Sequence, residues 1–297
     1  MEPLPDLEDE GACARWLFRL RWNGEFVCCR CGHDNASQLR SRPRVWSCHL
    51  CRKHHSVTAG TALHGCKLSL GKILLAAIEL TRASSISGRA LERMLRVSHE
   101  AAWSLLHRLR AGLVKRETVL RREIVATDVA TRLRGAGKDA HPVLLVAADD
   151  DGRAVARVTT DRWFEPLRLV TGDTATHELR WVSDHPVAVW IVSILHGVHD
   201  TVSVRWVGRY VRALAAIHTA TADGEDPVRI TLESSVRCAS RGFRVDQRPP
   251  KNTWDPSWKA LVWPHNPIRL DRIELPLSLY EEVPLARGRL AGRPREA

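Results

Sequence analysis

Apolar residues recur with a helical period after Ser69. Leu70, Ile73, Leu74, Ala77 and Ile78 share a face that Thr81 closes, which predicts a helix with Ser69 as its N-cap. A second helix is predicted after Ser87, with Ala90, Leu91, Met94 and Leu95 on one side. After a break at Arg96-Val97, Ser98 opens a third, with Ala102, Leu105, Leu106 and Leu109 spaced i, i+3, i+4, i+7. The other side of that third helix carries His99, Glu100, Trp103, Ser104, His107, Arg108 and Arg110. Two short amphipathic helices joined by a tight turn, the second polar and basic outside, form a helix-turn-helix pattern. In that arrangement the first residues of the second helix reach base edges in the major groove of double-stranded DNA.

Farther on the period changes to two. Residues 123–130 alternate as a strand, 143–148 are a buried apolar run, and Asp150-Asp151-Gly152 turns into a strand over 154–159. A fourth strand is predicted over 167–171. Asp149, Asp150 and Asp151 read as an acidic turn. Upstream, Gln38-Leu39-Arg40 and Arg44-Val45-Trp46-Ser47 flank a Ser41-Arg42-Pro43 turn, a short hairpin.

Charge divides the chain. Residues 1–10 hold five acids and no base, residues 11–120 hold 19 Lys+Arg against 6 Asp+Glu, and the remainder 26 against 23. A basic N-terminal third beside a nearly neutral remainder suits a polyanion-binding module joined to another domain. An acidic N-terminus is the opposite of a secretory leader, and no apolar run reaches the roughly 18 residues of a membrane span, so a cytoplasmic, nucleoid-associated protein with no membrane partner is expected.

The eight cysteines add chemistry. Cys28 and Cys31, then Cys48 and Cys51, form two C-x-x-C pairs, the arrangement that brings four thiolates to one tetrahedral Zn2+. Cys29, His33, His49 and His54 are the neighbouring rivals, but only Cys28 and Cys31 have the two-residue gap. A closed four-cysteine site holds structure and performs no catalysis, and the metal supplies folding free energy to a ribbon too small for its own core. Arg40, Arg42, Arg44, Arg52 and Lys53, with Trp46 among them, are then candidate DNA contacts. Cys13, Cys66 and Cys238 are isolated and read as packing residues.

Phe26-Val27-Cys28, Cys31-Gly32, Trp46-Ser47-Cys48 and the run from Cys51 to Thr61 resemble the N-terminal ribbon of zinc-ribbon insertion-sequence transposases. The stretch from Leu95 through Ala102-Trp103 to Arg110 is similar to their helix-turn-helix, with Arg96 where the family usually has a turn glycine. The resemblance covers roughly residues 10–112. It implies a following RNase H-like domain in which three acidic or amide residues hold two Mg2+ or Mn2+ ions. Asp128 looks like the first and Asp173 the second, with Asp161 competing. The third falls near Trp190, inside 187–192, where there is no carboxylate or amide; Glu178, Asp184 or Asp200 serve only under a shifted alignment.

The expected architecture is multidomain α+β. It comprises a zinc ribbon with an acidic lead (1–64), a helix-turn-helix segment (65–117), a partial α/β RNase H-like domain (118–245), and a Pro- and Trp-containing extension with a basic tail (246–297). The expected function is transposase-like recognition of DNA at transposon ends, with two-metal strand cleavage impaired or lost. Two readings stay open beside it: a non-catalytic regulator descended from a transposase, and an active transposase with an unorthodox third ligand. The resemblance also implies homo-oligomers on paired DNA ends.

Overall fold

The computed structural model describes residues 3–82, 85–114, 124–130, 143–149, 151–159, 179–181, 186–199, 202 and 204–238. The expected strand over 167–171 and the whole extension 246–297 lie outside them. The chain forms two compact units, one of residues 1–117 and 224–247, the other of residues 118–223 and 248–297.

The first unit opens with helix α1, Glu10–Trp22, which the sequence reading did not anticipate. Asp9 caps it by accepting from the N–H groups of Gly11 and Ala12, and Asn23 ends it in the left-handed region. Strands β1 (Ala36–Leu39), β2 (Arg42–Cys48) and β3 (His54–Ser56) follow as an antiparallel sheet in that order. Helices α2 (Leu70–Thr81), α3 (Gly88–Leu95) and α4 (His99–Val114) come next. Ser69, Ser87 and Ser98 each accept an N–H from the first turn of their helix, as the sequence predicts.

A last helix, Pro227–Arg237, returns to this unit after the second has been traversed. Residues 224–245, expected within the domain 118–245, therefore group with the first unit. The returning helix packs on α1, α2 and α4. At the crossing with α4 the backbones are so close that a Cβ on Gly112 would lie 2.8 Å from Ser235 Cα. Two hydrogen bonds fix it in place: Ala62 N–H to Ser235 O at 3.1 Å, and Arg237 Nε to Leu20 O at 2.9 Å. It could not be read from the pattern of residues 70–110, because its contact with α4 is far removed in sequence.

The second unit holds strands β4 (Ile124–Ala130), β5 (Val143–Asp149), β6 (Ala154–Thr159) and β7 (Leu179–Trp181), then helices α5 (Pro186–Gly197) and α6 (Val204–Ala222); the returning helix is therefore α7. The sheet order is β6-β5-β4-β7, antiparallel except that β7 runs parallel to β4. Val146, Ala148, Ala154 and Ala156 meet Val187, Ile191 and Leu195 of α5 and Val207, Val211 and Leu214 of α6 in one core. The acidic turn is structural. Arg153 pairs with Asp151 at 2.6 Å and Asp223 at 2.8 Å, and its N–H donates to the buried Asp149.

Gly112→Ala should destabilise the first unit despite the roughly 1 kcal/mol of helix propensity that alanine brings. The new methyl meets backbone rather than a movable side chain, so a net loss of about 1–3 kcal/mol is expected in denaturant unfolding. Gly197→Ala, where an added Cβ has nothing within 4 Å, should change stability by less than about 0.5 kcal/mol.

Candidate metal centre and nucleic-acid interface

The two C-x-x-C turns are built alike. In the first, Cys28 N–H donates to His33 O at 2.9 Å and Gly32 N–H to Cys28 O at 2.9 Å. In the second, Cys48 N–H donates to Lys53 O at 3.0 Å and Arg52 N–H to Cys48 O at 3.1 Å. The residue after each second cysteine is left-handed, Gly32 at φ 72° and Arg52 at φ 58°. Glycine adopts that conformation freely, whereas arginine does so at a cost.

These turns bring the Sγ atoms of Cys28, Cys31, Cys48 and Cys51 within 4.8 Å of one another, with Cys28–Cys51 at 3.5 Å and Cys31–Cys48 at 3.7 Å. The edge of a tetrahedron with Zn–S bonds of about 2.3 Å is about 3.8 Å, so the set fits zinc. Burial opposes ionisation of Cys28, but the N–H groups of Arg30 and Cys31 and the side chains of His55 and Cys51 outweigh it and bring its pKa down to about 5. For Cys31 the N–H of His33 favours the thiolate, yet desolvation and the crowding sulfurs of Cys51, Cys28 and Cys48 raise it to about 12. Four clustered thiols resist losing all their protons until a cation sits among them.

His55 is a residue that the sequence reading missed. Its Nε2 lies 3.3 Å from Cys28 Sγ, and its ring meets Phe26 edge-on at 5.0 Å. With Cys28 ionised, His55 donates to the thiolate and ties β3 to the first cysteine turn. Its position four residues past Cys51 gave no ligand spacing to notice.

The ribbon is joined to α1 by aromatic packing. Phe18 stacks on Trp46 at 4.4 Å and on Phe26 at 5.8 Å, and touches Trp22 at 4.6 Å. Arg21 donates to Ser56 O at 2.6 Å. Trp46 is thus buried against α1 and does not face solvent as expected. Arg44 is likewise a structural residue: its Nε meets Glu10 Oε1 at 2.5 Å and its Nη2 donates to Leu68 O at 2.7 Å. Arg40, Arg42, Arg52 and Lys53 are exposed, with Arg42 Nη2 3.4 Å from His54 Nδ1.

On α4 the expected contact residues divide by position. His99 and Glu100 are exposed, and Trp103 and Ser104 half-buried. His107 and Arg110 are buried, Arg110 being only 2% exposed. Arg108 holds the loop before α2, donating to Ala62 O at 3.0 Å and His64 O at 2.6 Å. The last half of α4 therefore offers no basic outer face, because helices pack around it from more than one side. The exposed side chains of α4, His99 and Glu100, both lie in its first turn. Of the proposed acids, the backbone of Asp128 sits in β4 opposite Leu145. Asp173, Asp161, Glu178, Asp184 and Asp200 lie outside the described residues.

Cys48→Ser should lower bound zinc from about one ion per chain to near none by metal analysis, and should shift the emission of Trp22 and Trp46 as the ribbon unfolds. His55→Phe keeps a ring against Phe26 but loses the donor to Cys28. Zinc affinity in a chelator competition should fall roughly 10-fold or more.

No helix among the described residues is long and apolar enough to cross a membrane. No curated protein and no solved structure matches the chain. Residues 8–54 match the family model of the transposase zinc-ribbon domain, and this match, with the four-cysteine cluster inside it, points to a transposase-related DNA-binding protein.

Proposed function

We propose that the chain recognises double-stranded DNA through its first unit and that strand cleavage by its second unit is impaired or lost. The observation that carries the DNA-binding part is the division of α4. Its first turn, with His99 and Glu100 exposed and Trp103 half-buried, follows a three-residue turn from α3, while the remainder is buried or half-buried as the support of the unit. A helix-turn-helix presents the N-terminal end of its second helix to base edges. The exposed Arg40, Arg42, Arg52 and Lys53 of the ribbon supply cations for phosphates.

The second unit supports an RNase H-like reading in its strand arrangement, three antiparallel strands and a fourth returning parallel to the first. The loss of cleavage rests on Trp190. That residue, near which the third ligand is expected, is half-buried on α5, packed against the core and 5.6 Å from the ring of His218. An indole offers no oxygen to a hard divalent ion.

A second reading, retained nuclease activity, is favoured by one observation. β7 runs parallel to β4, so the two strands leave the sheet at the same end, and Asp184 follows Trp181 by three residues in sequence. Asp184 would then serve as the third ligand under the shifted alignment. Multimers on paired DNA ends belong to this reading.

Both readings are tested with a duplex carrying the gene's own flanks, in Mg2+ or Mn2+, comparing the chain with Asp128→Ala. Binding without cutting by either protein is the expected outcome. Nicks at defined positions that disappear in Asp128→Ala would establish the second reading instead.

A further inference from the structure

The sequence reading gave DNA contacts to the ribbon and to α4 and none to α3. Yet Arg89, Arg93 and Arg96 fall at i, i+4 and i+7 along α3 and its cap, and all three are exposed. No carboxylate pairs with any of them among the described residues; the one contact of their guanidinium groups is Arg93 Nε to Arg89 O at 3.4 Å. The acid on this helix, Glu92, is engaged by His99 at 3.0 Å. Among the described residues the stripe is therefore positive charge with no carboxylate partner.

Its place is equally specific. α3 lies directly against the first turn of α4: a Cβ on Gly88 would be 3.3 Å from His99 Cε1 and 3.9 Å from Trp103 Cβ. Cations on α3 thus border the turn that faces base edges, and in helix-turn-helix docking the first helix crosses the sugar–phosphate backbone.

Arg96 adds an independent argument. It ends α3 at φ 51° and ψ 57°, its N–H donating to Glu92 O. Glycine meets this geometry without strain and an L-residue does not. The second cysteine turn repeats the choice, with exposed Arg52 at φ 58° where the first has Gly32. At both places an exposed cation stands where backbone preference alone selects glycine.

Resting on the DNA-binding reading above, we propose that Arg89, Arg93 and Arg96 form a phosphate-contact edge that seats the backbone of double-stranded DNA beside the first turn of α4. Such contacts fix register and carry no base information.

The test uses the full chain with zinc bound, a duplex of the gene's flanks and a random-sequence duplex of equal length, titrated over a range of salt. Arg89→Gln, Arg93→Gln and Arg96→Gly should each reduce the slope of log affinity against log salt by about 0.9. Each should weaken both duplexes by a similar factor. Arg96→Gly relieves the backbone, so its Tm should equal or exceed that of the parent, separating lost contact from lost fold. Unchanged slopes in all three variants, with the parent chain binding normally, overturn this inference alone. A parent chain that binds neither duplex overturns the DNA-binding reading beneath it. Tighter binding to a single-stranded oligonucleotide than to either duplex overturns the edge as a duplex contact.

Discussion

One carboxylate holds the first unit together. Glu10 Oε1 receives Arg44 Nε from β2, while Oε2 accepts the N–H of Leu70 at 2.8 Å at the start of α2. The second bond places negative charge where the helix macrodipole is positive and leaves one fewer N–H of the first turn unsatisfied. Arg44 spends its remaining donors on the carbonyls of Cys66 and Leu68, the segment leading into α2. Both side chains are about one-quarter to one-third exposed, so their attraction is only partly screened. Through this pair, α1, the ribbon and α2 take one mutual arrangement, and what the ribbon presents is fixed relative to what α3 and α4 present.

The metal and the aromatic cluster act on the same junction from the other side. The buried core of the ribbon comprises Phe26, Cys28 and Cys48, with Phe18 and Trp22 of α1 packed over it. Two of those three residues belong to the four-cysteine set that fits zinc. Closing the thiolates on one ion therefore also sets the platform on which α1 rests, and His55, between Phe26 and Cys28, belongs to both functions. A small ribbon gains its stability from a metal and a neighbour because it has too few apolar residues to gain it alone.

What was legible in the sequence was local. The C-x-x-C spacing specified four ligands, and Ser69, Ser87 and Ser98 marked three helix starts, since both signals act over a few residues. The strands over 124–130, 143–149 and 154–159 were equally plain, the first in its alternation, the second as a continuous apolar run and the third in the turn that leads into it. What was not legible depended on distant partners. Arg44 and Trp46 looked like surface residues of a basic hairpin until α1, a helix absent from the reading, covered them. The basic side of α4 lost His107 and Arg110 to the interior and Arg108 to the loop before α2, because helical periodicity reports one buried face and α4 is packed on more than one. The stripe on α3 was missed for the opposite reason. Its apolar face was counted, and Arg89 and Arg93 outside that face were given no role.

The return of α7 ties the fate of the second unit to that of the first. Every residue from 118 to 223 must be traversed before Leu232, Ser235 and Val236 can bury themselves in the first unit. On the proposed reading, the second unit has lost the oxygen ligand near Trp190 while keeping an apolar core of Val187, Ile191, Val207 and Val211. Those facts are compatible because they answer to different demands. A metal ligand is needed only for cutting, whereas a folded insert also hides its own apolar surface and delivers α7 as part of the same chain. A chain of this layout can give up strand cleavage by changing a single side chain. The fold of the insert answers instead to the burial of its own apolar surface.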